Sequence, residues 1–179
     1  MSMTIRGEES VYLPEECWEL IFKLVEFHHF ASISLVCKQF LKITNHLVKS
    51  LNVSQSTVPV LPQLLHRFRN LTKINLSDFR GEIDDLLSRI AESGLDLQAL
   101  DVSKQKDFPS HGLRVLGSKL KNLKYLNCSE IDSLKDRDLD LIAQIFPSLE
   151  ELDVSNPYHV VRIHPNGDLN WIRIFSQNP

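Results

Sequence analysis

Glycine is scarce in this chain, with six in 179 residues, and cysteine scarcer still, with three. So few glycines argue against a phosphate cradle, which needs backbone that no Cβ obstructs. There is no G-x-S-x-G, H-E-x-x-H or C-x-x-C motif, so the common sequence signs of hydrolase, zinc-protease and thiol-redox chemistry are missing. The cysteines Cys17, Cys37 and Cys128 are too few, and odd in number, for a disulfide framework. Each falls inside an apolar pattern and reads as a buried free thiol of a reducing compartment. Basic residues do not predominate: 20 Lys and Arg face 23 Asp and Glu, with both signs mixed along the chain. Nucleic acid is therefore not an expected partner, because phosphate binding needs clustered cations. Nothing approaches the length of a membrane span, and residues 1–10 are polar and read as a disordered arm without a signal-peptide run. The expectation is an intracellular, soluble protein of the nucleus or cytoplasm, without membrane contact.

What the chain does contain is a phrase that returns. Leu71-Thr-Lys-Ile-Asn-Leu-Ser77 recurs as Leu97-Gln-Ala-Leu-Asp-Val-Ser103, Leu123-Lys-Tyr-Leu-Asn-Cys-Ser129 and Leu149-Glu-Glu-Leu-Asp-Val-Ser155. The starts at 71, 97, 123 and 149 are each 26 residues apart, and a looser copy, Val48-Lys-Ser-Leu-Asn-Val-Ser54, lies 23 residues ahead of the first. A fixed period in this range marks one supersecondary unit, stacked because it cannot bury its apolar face alone. Ten, seven and three residues before each phrase come Leu61, Leu64 and Phe68; Leu87, Ile90 and Gly94; Leu113, Leu116 and Leu120; Leu139, Ile142 and Phe146. Spacings of three and four place each set on one helical face, with Gly94 expected to end its helix early. Each unit thus reads as strand, turn, helix and return loop. The fold class is α/β, a parallel sheet backed by helices.

This pattern resembles the leucine-rich-repeat family over residues 48–156, and the resemblance implies a short curved solenoid. The family usually has Asn or Cys at the ninth position of its motif. Phe79, Gln105, Ile131 and Pro157 stand there instead, so the turns must be secured in another way.

Residues 11–47 differ in kind. Pro14 suits the first turn of a helix, and Glu15 and Glu16 favour its positive end. The helix, expected to about Val25, has two apolar faces: Cys17, Leu20, Ile21 and Leu24 on one, Trp18, Phe22 and Val25 on another. One face packs inside; the other is free to meet a second protein. After His28 and His29 a second helical stripe runs through Phe30, Ile33, Val36, Cys37, Phe40, Ile43 and Leu47. Two or three such helices bury too little surface alone and need the repeats, a partner, or both.

Leu13-Pro14-Glu15-Glu16, then Ile21 and Leu24, then Ser34-Leu35-Val36-Cys37-Lys38, resemble the F-box motif. Phe40 stands where that family usually has tryptophan, and His29-Phe30 where it has an acidic residue and leucine. An F-box ahead of leucine-rich repeats is the plan of the F-box/leucine-rich-repeat proteins. What the resemblance implies is a non-catalytic substrate receptor of an SCF-type ubiquitin ligase. Its F-box would dock on a Skp-family adaptor, and through it on cullin and RING subunits, while the repeats hold an unidentified protein target. Carried over position by position, the adaptor contacts are Leu13, Pro14, Ile21, Leu24, Phe30, Val36 and Cys37. A repeat scaffold outside any ligase, and a short receptor that competes for the adaptor, are the alternatives.

Within each phrase the fourth and sixth residues point inward, so the third, fifth and seventh face the open side of the sheet. The fifth row (Asn52, Asn75, Asp101, Asn127, Asp153) and the all-serine seventh row are uniform, and read as polar side chains that satisfy one another and cap turns. The third row is mixed, and its Lys73, Tyr125 and Glu151 are the candidates for target contact, Tyr125 being the best anchor type. His28, His29 and Cys37 lack the further ligands a metal requires, so no metal or cofactor is expected. Asp84, Asp85, Asp136, Asp138 and Asp140 read as helix-dipole partners rather than a cation site. Residues 157–179 break the pattern. Val160–Ile163 reads as a strand, Pro165–Asp168 as a turn, and residues 171–175 as an apolar run. This tail either caps the last repeat or belongs to a longer array.

Overall fold

A computed structural model describes residues 13–155 and 173–175. The arm expected at 1–10 and the tail strand and turn expected at 160–168 lie outside the described residues. The chain divides between Leu47 and Val48 into two compact units.

The first unit is helical. Helix α1 spans Glu15–Lys23, α2 Phe30–Ile33 and α3 Lys38–Leu47, with a 3-10 turn at Phe27–His29. Pro14 is the N-cap of α1 rather than its first helical residue, its carbonyl accepting from the Cys17 and Trp18 N–H groups. Residues 30–47 do not form one continuous helix. The Ser34 hydroxyl donates to the Ala31 carbonyl, and the Leu35 and Val36 N–H groups reach back only three residues, which tightens the chain out of α geometry. Cys37 then starts α3, its sulfur 3.5 Å from the Phe40 N–H and its carbonyl accepting from Leu41.

The second unit alternates helix and strand. Strands β1 (Ser50–Asn52), β2 (Lys73–Asn75), β3 (Ala99–Asp101), β4 (Tyr125–Asn127), β5 (Glu151–Asp153) and β6 (Arg173–Phe175) form one parallel sheet in chain order. Helices α4 (Leu61–Arg67), α5 (Ile83–Ala91), α6 (Ser110–Lys119) and α7 (Asp136–Ile145) connect the first five. Register is constant: Ser50, Lys73, Ala99, Tyr125, Glu151 and Arg173 are partners on successive strands. Equivalent residues therefore stack as rows, because equal spacing in sequence becomes equal position in the sheet.

The rows explain the core. Leu71, Leu97, Leu123 and Leu149, then Ile74, Leu100, Leu126 and Leu152, then Leu76, Val102, Cys128 and Val154 are all buried. From the helices come Leu61, Leu87, Leu113 and Leu139, with Ile90, Leu116 and Ile142. Burying each such side chain contributes about 1.5–3 kcal/mol. Gly94 ends the return from α5 with φ +69°, a conformation open to glycine, after α5 has stopped at Ala91. Two other glycines serve packing. A Cβ at Gly112 would lie 2.8 Å from the Leu87 Cβ, and one at Gly117 2.9 Å from the Ile145 Cβ. Successive helices on both sides of α6 thus come closer than side chains would permit.

The turns are secured by two devices. Asn75, Asp101, Asn127 and Asp153 each accept, through Oδ1, the N–H of the serine two residues on, at 2.8–3.0 Å. Asn127 also donates to Asp101 across the strands at 3.1 Å. At the ninth motif position Gln105 is buried, and its Nε2 donates to the carbonyls of Leu76, Phe79 and Ser103 at 3.1–3.2 Å. Phe79 and Ile131 fill the same position as buried apolar side chains. Asp84 accepts the Gly112 N–H at 2.7 Å, and Asp138 the Lys135 N–H at 3.0 Å, so two of the acidic residues near helix starts are structural acceptors.

Candidate functional site

Two surfaces carry the residues singled out in the sequence. In the helical unit, the Trp18, Phe22 and Phe40 rings pack with centroids 4.7–5.8 Å apart, Phe22 meeting Phe40 edge to face. This cluster joins α1 to α3 and uses one apolar face of α1. The Lys42 ammonium, 2.9 Å from Glu15, adds an exposed tie between the same helices.

The other face of α1 is left outside. Leu24 is 88 % exposed, Leu20 63 % and Ile21 40 %. The turn into α3 is equally bare, with Leu35 86 % and Val36 67 % exposed, and Phe27 lies open beside Phe30, ring centroids 5.5 Å apart. Seven of the eight exposed large hydrophobic side chains among the described residues belong to this unit. Of the positions matched to the adaptor contact, Pro14, Ile21, Leu24, Val36 and Cys37 are exposed, while Leu13 and Phe30 are half-buried. Leu20, Phe27 and Leu35 join the exposed apolar set without having been assigned an adaptor contact. Leu20 shares a stripe with Ile21 and Leu24, and Leu35 precedes Val36 in the motif, so both were within reach of pattern alone. The expectation of buried cysteines is corrected: Cys37 is exposed and Cys17 half-buried, and only Cys128 lies in the core. Cys37 sits in the turn between two helices, where no helical face carries it inward.

The second surface is the open face of the sheet. Lys73 is exposed on β2, Tyr125 half-buried on β4 and Glu151 half-buried on β5. Tyr125 and Glu151 are direct partners on adjacent strands, whereas Ala99 separates Lys73 from Tyr125. Burial raises the Tyr125 phenol above its ordinary value of 10.0, and the negative charges of Asp153, Asp101 and Glu151 raise it further. Tyr125 therefore stays neutral in a locally acidic field.

A family model of the F-box domain matches residues 12–52, running from α1 through β1. The chain carries an F-box domain there, followed by an α/β region with a parallel sheet. F-box domains bind Skp-type adaptors, and proteins that contain them are generally non-catalytic adaptors. No helix among the described residues is long and apolar enough to cross a membrane.

Proposed function

We propose that the protein is a substrate receptor of an SCF-type ubiquitin ligase, without catalysis of its own, and that its α/β region is a leucine-rich-repeat solenoid that holds a protein target. The observation that carries the reading is the F-box domain together with the apolar side chains its helices leave in solvent. Exposed leucines on this scale are costly to leave wet, and are the mark of a surface that a partner covers. In this reading Leu13, Pro14, Ile21, Leu24, Phe30, Val36 and Cys37 form or shape the contact with the Skp-family adaptor. Cullin and RING subunits follow through that adaptor, and the complex works in the nucleus or cytoplasm. Lys73, Tyr125 and Glu151 contact the target, Tyr125 supplying a preset aromatic surface.

The 26-residue period, the constant register and the stacked rows support the solenoid reading. Residues 11–47 serve as the docking module and 48–156 as the repeats. The test is capture of a purified Skp-family adaptor by the wild-type chain and by an Ile21→Asp, Leu24→Asp double variant, with folding checked by circular dichroism. Binding by the wild type alone is the expected result. Absence of binding by a folded wild type would overturn the ligase reading and leave a repeat scaffold with another partner.

A further inference from the structure

We infer that the groove between α4 and α5 is a binding site for a phosphate monoester carried on an apolar group. This groove has a volume of about 370 Å³, within the range of about 300–1,000 Å³ common for small-ligand sites. It lies in the repeat unit alone, and the inference does not depend on the ligase reading. Its floor is the buried pair Leu61 and Leu65; its rim carries His66, Arg69 and Arg89, with Glu92 as the one acidic member.

Three features point to a dianion. First, the rim gathers two guanidinium groups and an imidazole in a chain whose net charge is −3, so the cluster opposes the overall sign. Second, no carboxylate among the described residues neutralises the guanidinium groups. Among the described residues neither Arg69 nor Arg89 forms an ion pair, although Glu92 lines the same groove. Third, Arg69 is held in place: its Nη1 donates to the Ser93 carbonyl at 3.1 Å. A guanidinium has five N–H donors, so this bond leaves others to offer, already oriented. Two guanidinium forks match the charge and the several acceptor oxygens of a phosphate better than a carboxylate, which brings one charge and two oxygens. Pro62, exposed in the same groove, then offers a surface for an apolar group on the ester.

The test uses the full chain, with phenyl phosphate, inorganic phosphate and benzoate as probes followed through the backbone amide resonances. Phenyl phosphate is expected to shift residues 61–69 and 89–93 saturably, and to bind more tightly than either of the others. Arg89→Gln removes a charge without touching the Arg69–Ser93 bond, and should weaken binding about tenfold or more. Glu92→Gln should tighten it, a gain that general loosening of the fold would not produce. The inference is overturned if phenyl phosphate gives no saturable shift, if benzoate equals it, if Arg89→Gln binds as wild type does, or if Glu92→Gln weakens binding.

Discussion

The two units of this chain handle leucine in opposite ways. In the repeats, Ile74, Leu100, Leu126 and Leu152 are wholly inaccessible. In the F-box unit, Leu20, Leu24 and Leu35 stand mostly in water. Both units are built from short elements with periodic apolar residues. The difference is the number of faces: each repeat helix has one apolar stripe and one sheet to cover, whereas α1 has two stripes, of which one meets α3 through the Trp18, Phe22 and Phe40 rings. Apolar residues in the repeats therefore hold the fold, and those on the outer face of α1 are available for a partner.

Substitutions that trade between these roles separate them. Leu100→Ala should destabilise the repeat unit by about 2–5 kcal/mol, since β3 lies mid-sheet and the cavity has little room to collapse. Leu24→Asp should change stability by less than about 0.5 kcal/mol, because the side chain is already in water. Urea denaturation measures both. A large loss for Leu24→Asp would mean that the outer face is packed within the chain and not free.

Polar fastenings should divide the same way. Gln105→Leu leaves buried carbonyls of Leu76, Phe79 and Ser103 without their shared donor, and should cost about 1–3 kcal/mol. Lys42→Ala in the F-box unit removes only an exposed pair with Glu15, and should leave the melting temperature nearly unchanged. Equal effects in a thermal melt would erase the contrast.

The thiols give a chemical version of the comparison. Cys37 should react with a thiol reagent in the native protein. Cys128 should react only on unfolding, because burial, aided by the charges of Asp101, Asp153 and Asp138, pushes its thiol far above the ordinary range. Mass spectrometry after brief labelling reads the order, and early labelling of Cys128 would contradict its place in the core.

The smallest expected effect concerns Tyr125. Its raised value means the folded state favours the neutral phenol. That contribution is complete below the unfolded value near 10.0 and is lost as pH rises through the higher folded one. Ultraviolet titration should therefore find a phenol ionising above 10, absent in Tyr125→Phe. Asp153→Asn should lower its midpoint, and an unmoved midpoint would remove Asp153 as a cause.

Much of this was legible because the repeat converts sequence spacing directly into position. Leu71, Leu97, Leu123 and Leu149 are 26 residues apart and become one buried row, and the Asn/Asp and Ser rows pair as their uniformity suggests except in the first copy, where the Ser54 N–H turns to the Thr57 hydroxyl. The two faces of α1 were also readable, since helical geometry alone separates Phe22 from Leu24. Local pattern did not reveal the break at Ser34–Cys37, where an apolar stripe at helical spacing continues through a turn. There the Leu35 and Val36 N–H groups bond three residues back instead of four, and Val36 and Cys37 end up outside.

The sequence by itself determined the repeat, its register and the residues of its core, because period and hydrophobicity are properties of the chain alone. Only the tertiary structure decided how the atypical turns close and what gathers between helices. Gln105 finds three carbonyls from two neighbouring repeats, Gly112 and Gly117 admit adjacent helices, and Arg69 meets Arg89 across a groove. Apart from Ser103, two residues from Gln105, these partners lie 20 or more residues apart in sequence, and no local preference links them until the units stack.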